Sequence, residues 1–202
     1  MIVNEFILKS DIKKVKGRDF SYLGKAKLAL ASDANGVIIN LSKFEEALVD
    51  LVKASDLDSK LGSEFSELGV KLYKQKSYLE AAKVLELTLK NTGSKTYTLD
   101  NYYYGNSILY FTMDKTPEVK SKYTNEFEKA NIAFGEVIKA SPTTQDAYFS
   151  KAQLNRVYDT ETSKKIAVTD YEGYINVVKA KGEAEMAKEL VKKNLASAYT
   201  FI

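Results

Sequence analysis

The stretch FSELGVKLYKQKSYLEAAKVL (65–85) decides the fold. Phe65 stands three residues before Leu68 and four before Gly69, while Tyr78 stands three before Ala81 and seven before Leu85. Positions three, four and seven apart lie on one face of a helix. The stretch therefore reads as two amphipathic helices, with Gly69 and Ala81 separated by 12 residues.

Both halves recur along the chain, and such self-similarity outranks any single element as a fold signal. The first half returns as FSYLGKA (20–26), NYYYGNS (101–107) and YFSKAQL (148–154), with the small residues Gly24, Gly105 and Ala152 in the place of Gly69. The second returns as FEEALVDL (44–51), FEKANIAF (127–134) and KKIAVTDY (164–171). Each of these carries an alanine, Ala47, Ala130 or Ala167, with a bulky residue four places on, Leu51, Phe134 or Tyr171.

Phe65, Leu68, Gly69, Tyr78, Ala81 and Leu85 resemble the tetratricopeptide repeat, a unit of about 34 residues with aromatic-x-x-Leu-Gly in its first helix and Ala-x-x-x-Phe in its second. Pro142 falls at that family's terminal proline position. The resemblance covers residues 17 to 202. It implies an all-α, right-handed superhelical stack of helical hairpins around one continuous core. One repeat domain would span 1–202, with repeats near 17–61, 62–97, 98–144 and 145–181 and a partial fifth at 182–202.

Spacing adds a second expectation. From each second-helix alanine to the next first-helix small residue the interval is nearly constant, at 22, 24 and 22 residues. Within the hairpins it runs 23, 12, 25 and 15, so every insertion lies between the two helices of a repeat and on one edge of the stack. The inserts carry an Asn35-Gly36 turn and a Thr116-Pro117 helix start, and Ser42 with Glu45 and Ser77 with Glu80 read as capping boxes. Tyr199 and Ile202 repeat the spacing of Phe65 and Leu68, so the chain is expected to stop inside a fifth repeat, as a fragment of a longer protein. An unpartnered last helix would make the fragment self-associate through that end.

Composition narrows function by exclusion. The chain has 202 residues, is 45% hydrophobic and contains neither histidine nor cysteine, which removes the Ser-His-Asp triad, the Cys-His pair and the ordinary zinc site. The segment DLDSKLGSEFSE (56–67) fails as a calcium loop because Lys60 occupies a ligand place and Leu61 the place that needs glycine. No glycine-rich phosphate loop occurs, so no cofactor, metal or catalytic residue is expected. A net charge of +3 with arginine only at positions 18 and 156 makes nucleic acid a poor partner. No apolar run is long enough for membrane insertion.

Three consecutive tyrosines, Tyr102, Tyr103 and Tyr104, cannot share one helix face, so the helix is either sandwiched or displays aromatics. The resemblance implies that Tyr104 faces the core beside Gly105, and that Tyr102, Tyr103, Asn106, Leu109 and Tyr110 line a concave groove. The same registration adds Ser66, Val70, Tyr73 and Lys74 from the second repeat, Phe149, Gln153 and Arg156 from the fourth, and Tyr22, Lys25 and Leu28 from the first. Tyrosine suits a peptide groove because it joins broad apolar contact to a hydroxyl and few rotamers. The opposing expectation buries these rings against the insert at 112–126. The function expected is therefore a non-catalytic module binding an extended peptide or helix of another protein, with a structural spacer of an envelope or assembly protein as the alternative. YEGYI (171–175) and the long inserts resemble repeat proteins of Gram-negative envelopes, which points to the periplasm rather than the cytoplasm.

Overall fold

A computed structural model of the protein describes Glu5 and residues 15–202. Among these residues the regular structure is helical, apart from one isolated bridge between Ser32 and Ile38. The long helices are α1 (Gly17–Ala31), α2 (Leu41–Leu57), α4 (Ser66–Lys74), α5 (Tyr78–Thr88), α6 (Tyr97–Thr112), α8 (Thr124–Ala140), α9 (Gln145–Tyr158), α10 (Glu161–Lys181) and α12 (Glu189–Phe201). Single-turn helices α3 (Ser59–Gly62), α7 (Pro117–Lys120) and α11 (Glu183–Met186) join them. No helix among the described residues is long and apolar enough to cross a membrane.

The chain divides into two compact units, Met1–Tyr103 and Tyr104–Ile202, and the division falls inside α6. In the first unit α1 packs on α2 and α4 on α5; in the second α9 packs on both α8 and α10, and α12 on α10. The hairpins close in a consistent register. Ala47, Ala81, Ala130 and Ala167 are fully buried, as are the bulky residues one turn later, Leu51, Leu85, Phe134 and Tyr171. A methyl group added at Gly24 would come within 2.6 Å of Leu51, at Gly69 within 2.5 Å of Leu85, and at Gly105 within 2.7 Å of the Phe134 ring. In each case glycine lets the bulky side chain of the second helix lie against the backbone of the first. Burying each of these side chains is worth about 1.5–3 kcal/mol.

A second close approach inverts the pattern. Gly173 lies on the second helix of the fourth hairpin and receives the ring of Tyr148 from the first, at 2.6 Å from where a Cβ would sit. Behind it Ala152, Ala167, Tyr171, Tyr174, Ile175, Val178, Val191 and Ala198 form one buried cluster.

Helix starts differ in part from the sequence expectation. The cap of α2 is Asn40, whose side-chain oxygen accepts from the Lys43 amide at 3.0 Å, two residues before the expected Ser42. Asparagine caps at least as well as serine, and here it also accepts the first turn's Phe44 amide on its carbonyl. Ser77 does precede α5, but its side chain makes no cap bond. The reciprocal box lies instead at α10, where Thr160 and Ser163 each bond the other's backbone amide, at 3.1 and 2.8 Å.

The inserts fold as expected between helices of a hairpin. Asp33 orders the first, its carboxylate accepting from the amides of Asn35 and Val37, with Gly36 at φ 77. In the third hairpin Pro117 opens α7 at the first helical position, and a 3-10 turn, Ser121–Tyr123, leads into α8. Two long-range bonds pin this insert to the end of α9: Lys120 Nζ donates to the Val157 carbonyl at 2.9 Å, and the Tyr158 hydroxyl to the Tyr123 carbonyl at 2.9 Å.

Burial, with the nearby Glu126 charge adding to it, pushes the Tyr158 hydroxyl up to about 12. The folded state thus keeps a proton that the unfolded chain loses near pH 10, so this contribution to stability is whole below pH 10 and disappears as pH rises towards 12. Urea midpoints measured between pH 9 and 12 should fall less steeply for Tyr158→Phe than for the wild type. Equal slopes would contradict the assignment.

Candidate functional site

The tyrosines expected on the groove meet in the first unit. Tyr73, on the last turn of α4, packs edge-on against Tyr103 of α6 with ring centroids 4.9 Å apart, and Tyr103 does the same to Tyr102 at 5.9 Å. Tyr78, the first residue of α5, extends the series on the other side of Tyr73 at 5.6 Å. The order is Tyr78, Tyr73, Tyr103, Tyr102, all half-buried. Edge-to-face geometry sets the positive rim of one ring against the negative face of the next and is worth about 0.5–1.5 kcal/mol per pair beyond area burial. The series therefore holds its rings in fixed orientations while part of each stays in contact with solvent.

Why the rings converge follows from local structure. Gln75 caps α4 and Lys76 takes a left-handed conformation, φ 64, which reverses the chain so that Tyr73 and Tyr78 meet across the turn. At the start of α6, Asp100 is fully buried and accepts hydroxyl bonds from Ser66 at 2.5 Å and Thr96 at 2.8 Å. The Ser66 bond ties α6 to the first turn of α4, and the Thr96 bond, local to the start of α6, holds the carboxylate in place; together they set the height at which Tyr103 meets Tyr73. Ser66, expected on the groove, is thereby turned inward.

The same unit holds two clefts, neither of them lined by a ring of the series. One, of about 590 Å³, is lined by Val70, Lys71 and Lys74 among others; the second, of about 280 Å³, runs between Lys25 and Leu28 of α1 and Lys71 and Leu72 of α4. Leu68 and Lys71 line both, so α4 separates two continuous hollows. Lys25, Leu28, Val70 and Lys74 are groove positions expected from the sequence. The loop after α1 closes the smaller cleft, held by a bond from Gln75 Nε2 to the Asn35 carbonyl at 2.9 Å.

In the second unit the expected residues do different work. Tyr104 is 1% exposed, as its place beside Gly105 requires, but Asn106, at 1%, and Leu109 are buried as well. Tyr110 is 41% exposed. Phe149 packs on Tyr171 and Tyr174, with centroids 5.8 and 5.1 Å away, and belongs to the margin of the buried cluster. Gln153 is half-buried, while exposed Arg156 donates to the Ser197 hydroxyl of α12 at 3.3 Å. Helix α12, which packs on α10, thus reaches α9 at a position where a groove was expected.

The closure of successive hairpins on a small residue identifies the architecture. The chain is an all-α helical-hairpin repeat. No family model matches it, and no curated protein does. Among solved structures, the C-terminal part of a TPR repeat-containing protein from Cytophaga hutchinsonii is similar, at 20% identity and a TM-score of 0.48, over 98% of this chain and 67% of that one.

Proposed function

We propose that this chain is a non-catalytic interaction module of TPR-like type, which holds an extended peptide or a helix of another protein against the tyrosine series of its first unit. The observation that supports this reading is the row Tyr78, Tyr73, Tyr103 and Tyr102, half-buried and mutually oriented. Pre-oriented aromatic anchors lose little entropy when a partner binds, and they concentrate the energy of an interface in a few side chains. Exposed Lys74 follows Tyr73 in the chain and adds a positive charge nearby.

A second reading, that the repeats space other parts of a larger assembly, draws on the second unit, where Asn106, Leu109 and Phe149 serve packing rather than display. Affinity capture from a native-host extract separates the two. The wild-type chain and a Tyr73→Ala/Tyr103→Ala variant of unchanged helicity serve as baits. A protein retained by the wild type and lost by the variant fits the interaction reading; identical or empty captures fit the spacer.

A further inference from the structure

Asn35-Gly36 is the one Asn-Gly pair in the sequence, and it lies in the loop that closes the smaller cleft, of about 280 Å³, between α1 and α4. The loop is a tight hairpin. Gly36 N–H donates to the Asp33 carbonyl at 2.9 Å, closing a four-residue turn, and Gly36 itself is left-handed at φ 77. Beyond the turn, Asp33 N–H donates to the Val37 carbonyl and Ile39 N–H to the Ala31 carbonyl, both at 2.9 Å, on either side of the bridge between Ser32 and Ile38. Loop length fixes the register of two such arms. Lys71 and Gln75 hold the tip down: Gln75 Nε2 donates to the Asn35 carbonyl at 2.9 Å, and the Lys71 ammonium lies against Gly36. Beneath it Leu28, Ile38, Leu68 and Leu72 supply the apolar lining of the cleft.

An asparagine followed by glycine is prone to cyclise, because glycine lacks the Cβ that would hinder approach of its nitrogen to the neighbouring side-chain carbonyl. Asn35 is exposed, and its carboxamide takes part in none of the bonds that hold the loop. Once hydroxide removes the Gly36 amide proton, that nitrogen attacks Asn35 Cγ. The N–Cγ bond forms, the Cγ–Nδ2 bond breaks, and Nδ2 leaves as ammonia, taking its third hydrogen from water and regenerating hydroxide. Water then opens the cyclic imide. Cleavage at Cγ gives aspartate; cleavage at the main-chain carbonyl gives isoaspartate, whose main chain runs through the side chain and is one carbon longer. In sum one water is consumed and one ammonia released, with no oxidant or reductant.

The closed loop holds this reaction back. Asn35 is tied on both sides, its N–H to Asp33 Oδ1 at 2.9 Å and its carbonyl to Gln75. In a hydrogen-bonded turn the third residue has ψ near 0°, whereas the imide ring needs the next nitrogen eclipsed with Cβ, a rotation of about 120°. That rotation breaks the bonds from Gly36 to Asp33 and from Gln75 to Asn35, so the reaction proceeds from the locally open loop. The isoaspartyl product then resists closure. Its extra carbon lies inside a turn whose length sets the register, so Asp33 and Val37 lose their alignment. The new carboxylate meets a like charge in Asp33 and an opposite one in Lys71, which leaves the lengthened main chain to decide the outcome.

We propose that Asn35 is a modification site, at which spontaneous deamidation gated by opening of this loop converts the closed cleft irreversibly into an open one. The proposal is independent of the tyrosine series, none of whose rings lines the cleft.

For the test, the full chain is held at pH 8 and 37 °C beside the synthetic peptide acetyl-Ala-Asn-Gly-Val-Ile-amide. Conversion is followed by peptide mapping with mass spectrometry and by labelling with an isoaspartyl methyltransferase. Two hydrogen bonds oppose opening, each worth about two- to tenfold, so Asn35 in the chain should convert about 4- to 100-fold more slowly than in the peptide. Gln75→Ala removes one of these bonds without altering the reacting pair, and should speed conversion about two- to tenfold. In the isoaspartyl chain, separated by its added charge, the amides of Gly36, Val37 and Ile39 should exchange with deuterium at least about tenfold faster than in the wild type. Asn35→Asp adds the charge without the carbon and should keep their protection. An Asn35 that stays intact on the expected timescale, or a rate equal to the peptide's or unmoved by Gln75→Ala, would overturn the proposal. So would wild-type exchange in the isoaspartyl chain, or an equal loss of protection in Asn35→Asp.

Discussion

Phe134→Ala should lower the free energy of unfolding by about 3–5 kcal/mol, the range for removing a fully buried aromatic side chain. Gly105→Ala should lower it by about 1–3 kcal/mol, although alanine is the better helix former by about 0.5–1 kcal/mol. The overlap decides the sign, because the added methyl would stand 2.7–2.9 Å from three carbons of the Phe134 ring, which is itself fully enclosed. Made together, the two changes should cost less than their sum by at least about 1 kcal/mol, since the methyl then fills part of the space the ring leaves. Urea unfolding of the four proteins at 25 °C measures this coupling. A stabilising Gly105→Ala would show that the helices do not approach as closely as described.

Gly62→Ala should cost about 2–3 kcal/mol for a related reason with a harder obstacle. Gly62 has ordinary helical backbone angles, so alanine meets no conformational penalty there. Its Cβ would, however, press against the Leu87 carbonyl oxygen, near the end of α5, well inside van der Waals contact. A side chain can swing away, whereas a helix backbone can yield only by moving the helix. Gly135→Ala is the contrast: in the interior of α8 with nothing within 4 Å of the added methyl, it should gain about 0.5–1 kcal/mol. Thermal melts of both variants beside the wild type would rank them; equal effects would contradict the packing described.

The hairpin closure was legible in the sequence because it depends on residues at short, fixed separations. Gly24, Gly69 and Gly105 were marked by spacing alone, and each meets the bulky residue one turn after the matched alanine. The inverted contact of Gly173 with Tyr148 was missed because the repeat signature places the small residue on the first helix, and here it lies on the second. Tyr73, Tyr102 and Tyr103 were legible as a group, but Tyr78 was not. Its place in the repeat signature accounts for it as the start of a second helix, and only the left-handed turn at Lys76 brings it to Tyr73.

Burial on the far side of α6 was the hardest to foresee. Its sequence is apolar or aromatic on every face, so periodicity gives no direction, and Asn106 and Leu109 turned inward while Tyr110 stayed exposed. Phe149 packs on Tyr171 and Tyr174 of α10, and exposed Arg156 reaches Ser197 of α12; neither contact has a signal in the repeat spacing.

A peptide selected from a random display library on the wild-type chain gives the most direct test of the interaction reading. Its Kd would be measured by fluorescence polarisation for the wild type and for Tyr73→Ala/Tyr103→Ala, with helicity followed by circular dichroism in the same samples. Removing two oriented aromatic anchors should raise Kd at least about tenfold, equivalent to about 1.4 kcal/mol, while helicity is retained. Unchanged affinity would contradict the account, and so would loss of helicity in the variant, which would make the tyrosines part of the core rather than a surface for a partner.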